Sequence, residues 1–444
     1  MRKQLHHVTP DFDELESECP KTSTIHMMMG EQSNLTSLTE EFPFPENEAG
    51  KTPFYEFSKE EVSHLKHVSE MVYKAMLGSL SILFSDDNRE HIRTFFSSEF
   101  VDSYPEFIDY AIYTFKQKHK AISGRFDFAY DADSEMVTGV YEANMDSPVT
   151  YYDSVVLQHH LCKKLGLPNN QHNEHHETLV KAIPSVVNGV DKRIAVLCDV
   201  NFTEDSISAE TVFHAFNEEA THIALFDSLS ALDYDFGDLQ NPLFTINDTI
   251  VDAIYSLYPW EYMVEDFYSQ SSNPIKEWKL WVDRVTFLEP AWRYFLSNKG
   301  IFAWLTYLSE IKQNENAEVA MFIEEHRDAF KYILPSYVTK PSDSENWIQK
   351  PLIGRQSANI SQVKCGVITE LSSGDFVNSG WLYQKFTPPC SVNNNTKAIV
   401  CTWMAPTNIK GNLDMTCEGI SVREFEGTIP THENERFVPH LIKS

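Results

Sequence analysis

Four polar side chains stand close together on what reads as a β-hairpin. Arg125 and Asp127 lie in Arg125-Phe-Asp-Phe-Ala-Tyr130, and Glu142 and Asn144 in Val140-Tyr-Glu-Ala-Asn144. Side chains two apart on a strand point the same way, so Arg125 shares a face with Asp127 and Glu142 with Asn144. Two carboxylates and an amide carbonyl are hard oxygen donors suited to Mg²⁺, which keeps waters and phosphate oxygens as its other ligands. An adjacent guanidinium would meet the phosphate such ions carry. Taken alone, the same residues fit a solvated strand face with one Arg–Asp pair.

Three later stretches offer cations. Lys299 ends Glu289-Pro-Ala-Trp-Arg-Tyr-Phe-Leu-Ser-Asn-Lys299, where a helix follows, and could reach a nucleotide phosphate or be a plain surface lysine. Lys350 ends a strand before the small-residue loop Pro351-Leu-Ile-Gly-Arg-Gln-Ser-Ala-Asn359, whose backbone N–H groups could cradle phosphates. It is not a Walker loop, because no Gly-Lys-Ser/Thr follows. Lys340-Pro341 has no such loop after it and reads as a decoy. Arg423 is presented by the late strand Gly419–Arg423. His159-His160 and His172-Asn-Glu-His175-His176 suggest a metal site, but no Cys or carboxylate is spaced to close a tetrahedron, so a solvated loop is expected. Cys198 ends an apolar strand without a nearby His and reads as a buried structural thiol.

The elements that must hold these groups alternate between helix and strand. Ser58-Lys-Glu-Glu61 reads as a capping box, followed by Val62, Leu65, Val68, Met71, Val72, Ala75 and Met76 at helical spacing. Residues 90–118 read as further amphipathic helix, and helix returns near Ser154–Leu165. Arg193–Cys198, a helical stretch from Ser208 to Ala220, and His222–Phe226 form a strand–helix–strand unit that predicts a parallel α/β layer. Helices dominate from Ile250 to about Ile333, and strands from Trp347 onward. Residues 1–52 read as an acidic, poorly ordered arm, with an extended strap over the body as the alternative.

The 444 residues carry 36 Lys+Arg against 65 Asp+Glu, a formal net charge of −29. That charge disfavours nucleic acid and anionic membranes as partners. Neither a membrane-spanning apolar run nor a signal peptide is apparent. Seven cysteines without a C-x-x-C pair argue against a disulfide framework, so a soluble cytoplasmic protein in a reducing compartment is expected.

Taken in order, Arg-Phe-Asp (125–127), Glu-Ala-Asn-Met-Asp-Ser-Pro (142–148), Leu-Tyr-Pro-Trp-Glu-Tyr-Met (257–263), Leu-Glu-Pro-Ala-Trp (288–292), Leu-Ser-Asn-Lys (296–299), Gln-Lys-Pro-Leu-Ile-Gly-Arg (349–355), Tyr-Gln-Lys-Phe (383–386) and Arg-Phe-Val-Pro-His (436–440) match one pattern. Over about residues 54–444 the chain resembles the glutathionylspermidine synthase family, in its stand-alone synthetase-like members without an amidase domain. The resemblance implies an α/β (α+β) fold: an ATP-grasp-like synthetase with a pre-ATP-grasp α/β subdomain and additional helices. Residues 53–444 would be the ligase unit, with about 185–285 as the pre-ATP-grasp part and about 110–150 with 290–444 as the ATP-grasp part.

The implied activity is an ATP- and Mg²⁺-dependent carboxylate–amine ligase, an enzyme that forms an amide through an acyl phosphate. The acid would be a glutathione-like peptide and the amine a polyamine. By resemblance, Asp127, Glu142 and Asn144 hold the metal, and Arg125 faces the transferring phosphoryl group. Lys299, Lys350 and Gly354 contact the ATP phosphates and lid, and Tyr383 and Gln384 line the adenine pocket. Arg423 steadies the acyl phosphate. Asp146, Ser147 and Thr150 contact the acid, while Glu204 and Asp205 receive the amine, although a helix N-terminus would favour those two acids in any case. Trp260 and Glu261 would face substrate or simply pack. One departure stands out: the family's lid runs Gly/Ser-Arg-Glu-Gly-x-Asn, and this one runs Gly354-Arg-Gln-Ser-Ala-Asn359. The loss of a charge and of a permissive glycine leaves a second reading open, a catalytically degenerate nucleotide- or polyamine-binding protein.

Overall fold

The computed structural model describes residues 1–8, 51–187, 189, 191–218, 222–235, 243–310, 316–342, 345–376, 378–393, 395–431 and 434–443. Its centre is an antiparallel sheet with strands in the order Glu435–Val438, Met415–Glu426, Thr396–Pro406, Gly124–Asp131 and Met136–Asn144. The expected hairpin therefore lies at one side of a sheet whose other strands, the short Cys390–Ser391 beside Thr396–Pro406 included, come from the end of the chain. The helix Lys59–Leu83 packs on this sheet through Leu65, Val68, Val72, Met76 and Leu80, all fully buried. Its start is the expected capping box: Glu61 N–H donates to Ser58 Oγ at 3.1 Å, and Ser58 N–H to Glu61 Oε2 at 2.7 Å.

A second sheet is wholly parallel, in the order Thr286–Leu288, Ala253–Leu257, Arg193–Cys198 and Ile223–Ser228. The run Ile194–Cys198 is buried throughout, as a strand covered on both faces requires. The helices His175–Val186 and Thr203–Glu218 help cover it. A third sheet, antiparallel, is ordered Ser336–Tyr337, Trp381–Lys385, Asn346–Pro351, Ser361–Lys364 and Val367–Glu370.

Several expectations change. The long helix expected over 90–118 is three pieces, His91–Phe95, Ser98–Ser103 and Pro105–Lys116. Ser97, at φ +58°, caps the second piece, and Pro105, lacking an N–H, opens the third. Within the expected acidic arm, Arg2–His6 is a strand paired antiparallel with Thr52–Phe57, which pairs in turn with His440–Ile442. The remainder of that arm, residues 9–50, lies outside the described residues. Among the described residues, no helix is long and apolar enough to cross a membrane.

The histidine segment is not a solvated loop. His160, His172 and His175 are buried. His172 Nε2 donates to the Cys417 carbonyl (2.9 Å), and its Nδ1 lies 2.9 Å from Glu174. Burial pulls its pKa down, but the contacts to Cys417 and Glu174 outweigh that and lift it to about 10. Glu418, distant in sequence, joins His172 and Glu174 so that their ligand atoms lie within 4.8 Å of one another, which sequence spacing had hidden. Lys66 already pairs with Glu418 at 3.3 Å.

Candidate functional site

Cross-strand register brings the four hairpin residues onto one face, with Asp127 opposite Glu142 and Arg125 opposite Asn144. A bulge follows Asp127, and bulges often re-aim side chains beside functional sites. Asp127 is 1 % exposed and sits between two guanidinium groups. Arg125 Nε donates to its Oδ1 at 2.8 Å, and Arg423 Nη1 to its Oδ2 at 2.6 Å. Arg423 is braced from the other side by Glu435 at 2.5 Å. The reach from Arg423 to Asp127 crosses the intervening strand, whose Cys401 lies opposite Asp127.

Two lysines close the site from other segments. Lys299 Nζ lies 3.8 Å from Glu142 and donates to the Gly354 carbonyl at 2.7 Å. Lys350 Nζ donates to the Tyr141 carbonyl at 2.8 Å and to Gln384 Oε1 at 2.9 Å. Burial pushes the Lys350 ammonium down to about 7, helped by Lys299 and opposed by Glu142. Burial likewise lowers Lys299, which Glu142 opposes. Burial would raise Glu142, but the charges of Lys299, Lys350, Arg423 and Arg125 overcome it and hold the carboxyl at about 2. Glu142 is therefore an anion at any neutral pH, and Asn144 Nδ2 approaches its Oε1 at 3.4 Å. Asp127, Glu142 and Asn144 thus fit a hard divalent cation by donor type and shared face. Asp127 would have to share its oxygens with Arg125 and Arg423.

Alternation separates the two adenine-pocket candidates. Gln384 and Lys350 share the face of their sheet that meets the hairpin, where Gln384 Nε2 approaches the Val140 carbonyl at 3.3 Å. The Tyr383 side chain points to the opposite face and packs with Trp347 and Val363.

The loop Gly354–Asn359 is docked on the helix Trp260–Ser269. Arg355 Nη2 lies 2.7 Å from Glu261 and 3.7 Å from Asp146, and Phe376 stacks on Tyr262 at 6.5 Å. Gln356, Ser357 and Asn359 have φ of +53°, +55° and +57°. The position where the family has glycine therefore does adopt the left-handed conformation, with serine in place.

Asp146 is 2 % exposed, its N–H bonded to Ser297 Oγ at 2.9 Å and its Oδ2 facing the Trp260 N–H at 3.4 Å. Ser147 donates to Asp146 at 3.4 Å, and Thr150 accepts from Arg125 Nη1 at 3.2 Å. Glu204 and Asp205 open the helix Thr203–Glu218. Burial, with Glu204 and Asp199 nearby, raises Asp205 to about 7 against the pull of Arg355. Asp153 is raised to about 7 by burial and by Glu204, so it belongs to the same acidic group.

Several residues here had escaped the sequence. Arg355 had no role in the sequence reading, and Glu261, expected to face substrate or simply pack, is instead its ion-pair partner. Glu289 Oε1 takes the N–H groups of Ile122 and Ser123 at 3.0 and 2.8 Å, and Arg293 Nε, 3.3 Å from Glu289, donates to the Met145 carbonyl at 2.6 Å. This buried pair ties together the beginning and end of the hairpin. The only signal for Asp153 was its position one helical turn beyond Thr150.

Lysines, arginines and carboxylates thus gather where two antiparallel sheets of a multi-sheet α/β architecture meet. A solved glutathione synthetase-like effector from Globodera pallida covers 99% of this chain and 100% of its own, with a TM-score of 0.53 and 9% identity. The family described as glutathionylspermidine synthase, pre-ATP-grasp, matches residues 38–443, and the chain belongs to that family. A Haemophilus influenzae protein named an acid–amine ligase is 24% identical over 344 residues, 74% of this chain and 76% of its own.

Proposed function

We propose that the protein is an ATP- and Mg²⁺-dependent carboxylate–amine ligase. Membership of the family supports the acid–amine reaction type. The observation that carries the reading is the convergence of Arg125, Asp127, Glu142, Lys299, Lys350 and Arg423, drawn from five separate stretches of chain, around one face of the hairpin.

A carboxylate does not acylate an amine directly. Transfer of the γ-phosphoryl group of ATP to the acid gives an acyl phosphate and ADP, and attack by the amine on the acyl carbon then expels phosphate. Phosphoryl transfer asks for alignment and charge neutralisation more than covalent help. Lys299 and Lys350 would hold the ATP phosphates, with Gly354 and Gln384 beside them. Arg125 would face the transferring group, and Arg423 the acyl phosphate and the oxyanion that follows. Asp127, Glu142 and Asn144 would hold Mg²⁺, which when bound neutralises and aligns the phosphates. Asp146, Ser147 and Thr150 would contact the acid, a glutathione-like peptide. Glu204 and Asp205 would receive the amine, and a polyamine suits a place where carboxylates gather.

The experiment is ADP release on mixing the protein with ATP, Mg²⁺, glutathione and spermidine. Release that needs both acid and amine is expected. A second reading, a nucleotide- or polyamine-binding protein without turnover, is favoured by Gln356 and Ser357 holding left-handed positions in the lid. It expects ATP binding without ADP release, and turnover on Gln356→Glu with Ser357→Gly.

A further inference from the structure

Thr150 has φ of +68°. A β-branched residue takes that conformation only where its surroundings force it, and such residues gather at functional sites. The reward is visible on its neighbour: Arg125 Nη1 donates to the Val149 carbonyl at 2.9 Å and to Thr150 Oγ1 at 3.2 Å. With Nε already on Asp127, these two bonds occupy both Nη1 hydrogens and fix the plane of the guanidinium.

Something must hold Thr150 there. The next residue, Tyr151, is 2 % exposed, and its hydroxyl lies 2.8 Å from His175 Nδ1. His175 Nε2 lies 2.9 Å from the Met404 carbonyl, which can only accept. Nε2 therefore carries the proton, Nδ1 is the acceptor, and Tyr151 donates. Burial holds the His175 pKa down at about 4, so the ring keeps this tautomer at neutral pH. Ser123 Oγ is its other polar neighbour, at 3.4 Å. The rings of Tyr151 and His175 both pack on Trp403, at 5.4 and 6.0 Å, and the Arg125 guanidinium lies 6.0 Å from the same indole. One aromatic floor thus carries both the clamp and the arginine.

We propose that Tyr151 and His175 are positioning residues: together they lock Thr150 in its left-handed conformation and thereby hold the Val149 carbonyl and the Thr150 hydroxyl against Arg125. Their effect on rate rests on the ligase reading above, whereas their effect on geometry does not.

The test variant is Tyr151→Phe, which keeps the ring on Trp403 and removes only the donor. A crystal structure of the variant is expected to find Thr150 outside the positive-φ region and Arg125 without at least one of its two loop acceptors. In the ADP-release assay with ATP, Mg²⁺, glutathione and spermidine, kcat is expected to fall about 10- to 100-fold, the scale of a small misplacement of a reacting group. KM for ATP should stay within about twofold of the parent, since the lysines are untouched. Adding Thr150→Asn should restore the Arg125 contact, because Asn tolerates the left-handed region and keeps an acceptor. A purely structural role would lower the melting temperature and leave this rescue without effect on kcat. Unchanged Thr150 and Arg125 geometry in Tyr151→Phe would overturn the clamp. Absence of ADP release from the unsubstituted protein would count against the ligase reading instead, and the variant's structure would still judge the clamp.

Discussion

Lys299 Nζ donates to the carbonyl oxygen of Gly354 at 2.7 Å, so a lysine proposed to grip ATP is bonded to the backbone of the loop proposed to cover it. The ammonium has three N–H donors, so phosphate can join that carbonyl on Lys299 or displace it. Lys299→Met and Lys350→Met should each weaken binding of a non-hydrolysable ATP analogue about 10- to 100-fold, the worth of one charge-assisted hydrogen bond. Calorimetry checks this, and unchanged affinity in both variants would remove the lysines from the ATP site.

The lid makes its own prediction. Ser357 at φ +55° should tolerate glycine, which needs no strain there, and resist valine, whose branched Cβ is excluded from that region. Ser357→Gly is expected to keep or raise the rate of ADP release, and Ser357→Val to lower it. The opposite order would mean that the loop works in another conformation.

Arg423 is braced by Glu435 and donates to Asp127, so its place is set from two sides. Arg423→Ala should reduce kcat by about 100- to 1000-fold, as loss of a preorganised charge on a developing anion does. KM for ATP should move far less. Steady-state kinetics at varied ATP separates these parameters, and a change in KM alone would move Arg423 from transition-state stabilisation to ground-state binding.

The acidic group predicts a pH dependence. Asp205 and Asp153 are both raised to about 7. A carboxyl raised in the folded state is still protonated there while the unfolded chain has ionised. Stability therefore falls as pH climbs from about 4 to 7, and the ionised group above 7 is left needing a cation. Spermidine should accordingly raise the melting temperature more at pH 8 than at pH 6. Asp205→Asn should shrink that difference. Equal shifts at both pH values would place the amine elsewhere.

The hairpin and its four polar residues were legible in the sequence because strand alternation is a local rule. That Asp127 faces Glu142 across the hairpin could only come from the register. The capping box at Ser58 and the apolar strand Arg193–Cys198 were likewise local signals and fell where expected. What stayed hidden depended on distant chain: Arg423 lies within reach of Asp127 because two strands pair across hundreds of residues. His172 and His175 read as loop because polar neighbours masked their burial beneath Cys417 and Met404. Tyr383 and Gln384 are adjacent in sequence, yet alternation sends them to opposite faces, which only the pairing with Asn346–Pro351 could assign.

The acyl-phosphate route is tested most directly by the fate of oxygen. Glutathione carrying ¹⁸O in its glycine carboxylate is turned over with ATP, Mg²⁺ and spermidine, and the released phosphate is analysed by mass spectrometry. Transfer of one ¹⁸O from the acid to phosphate per amide formed is the predicted result. ADP production with unlabelled phosphate would mean hydrolysis by water and would contradict the ligase.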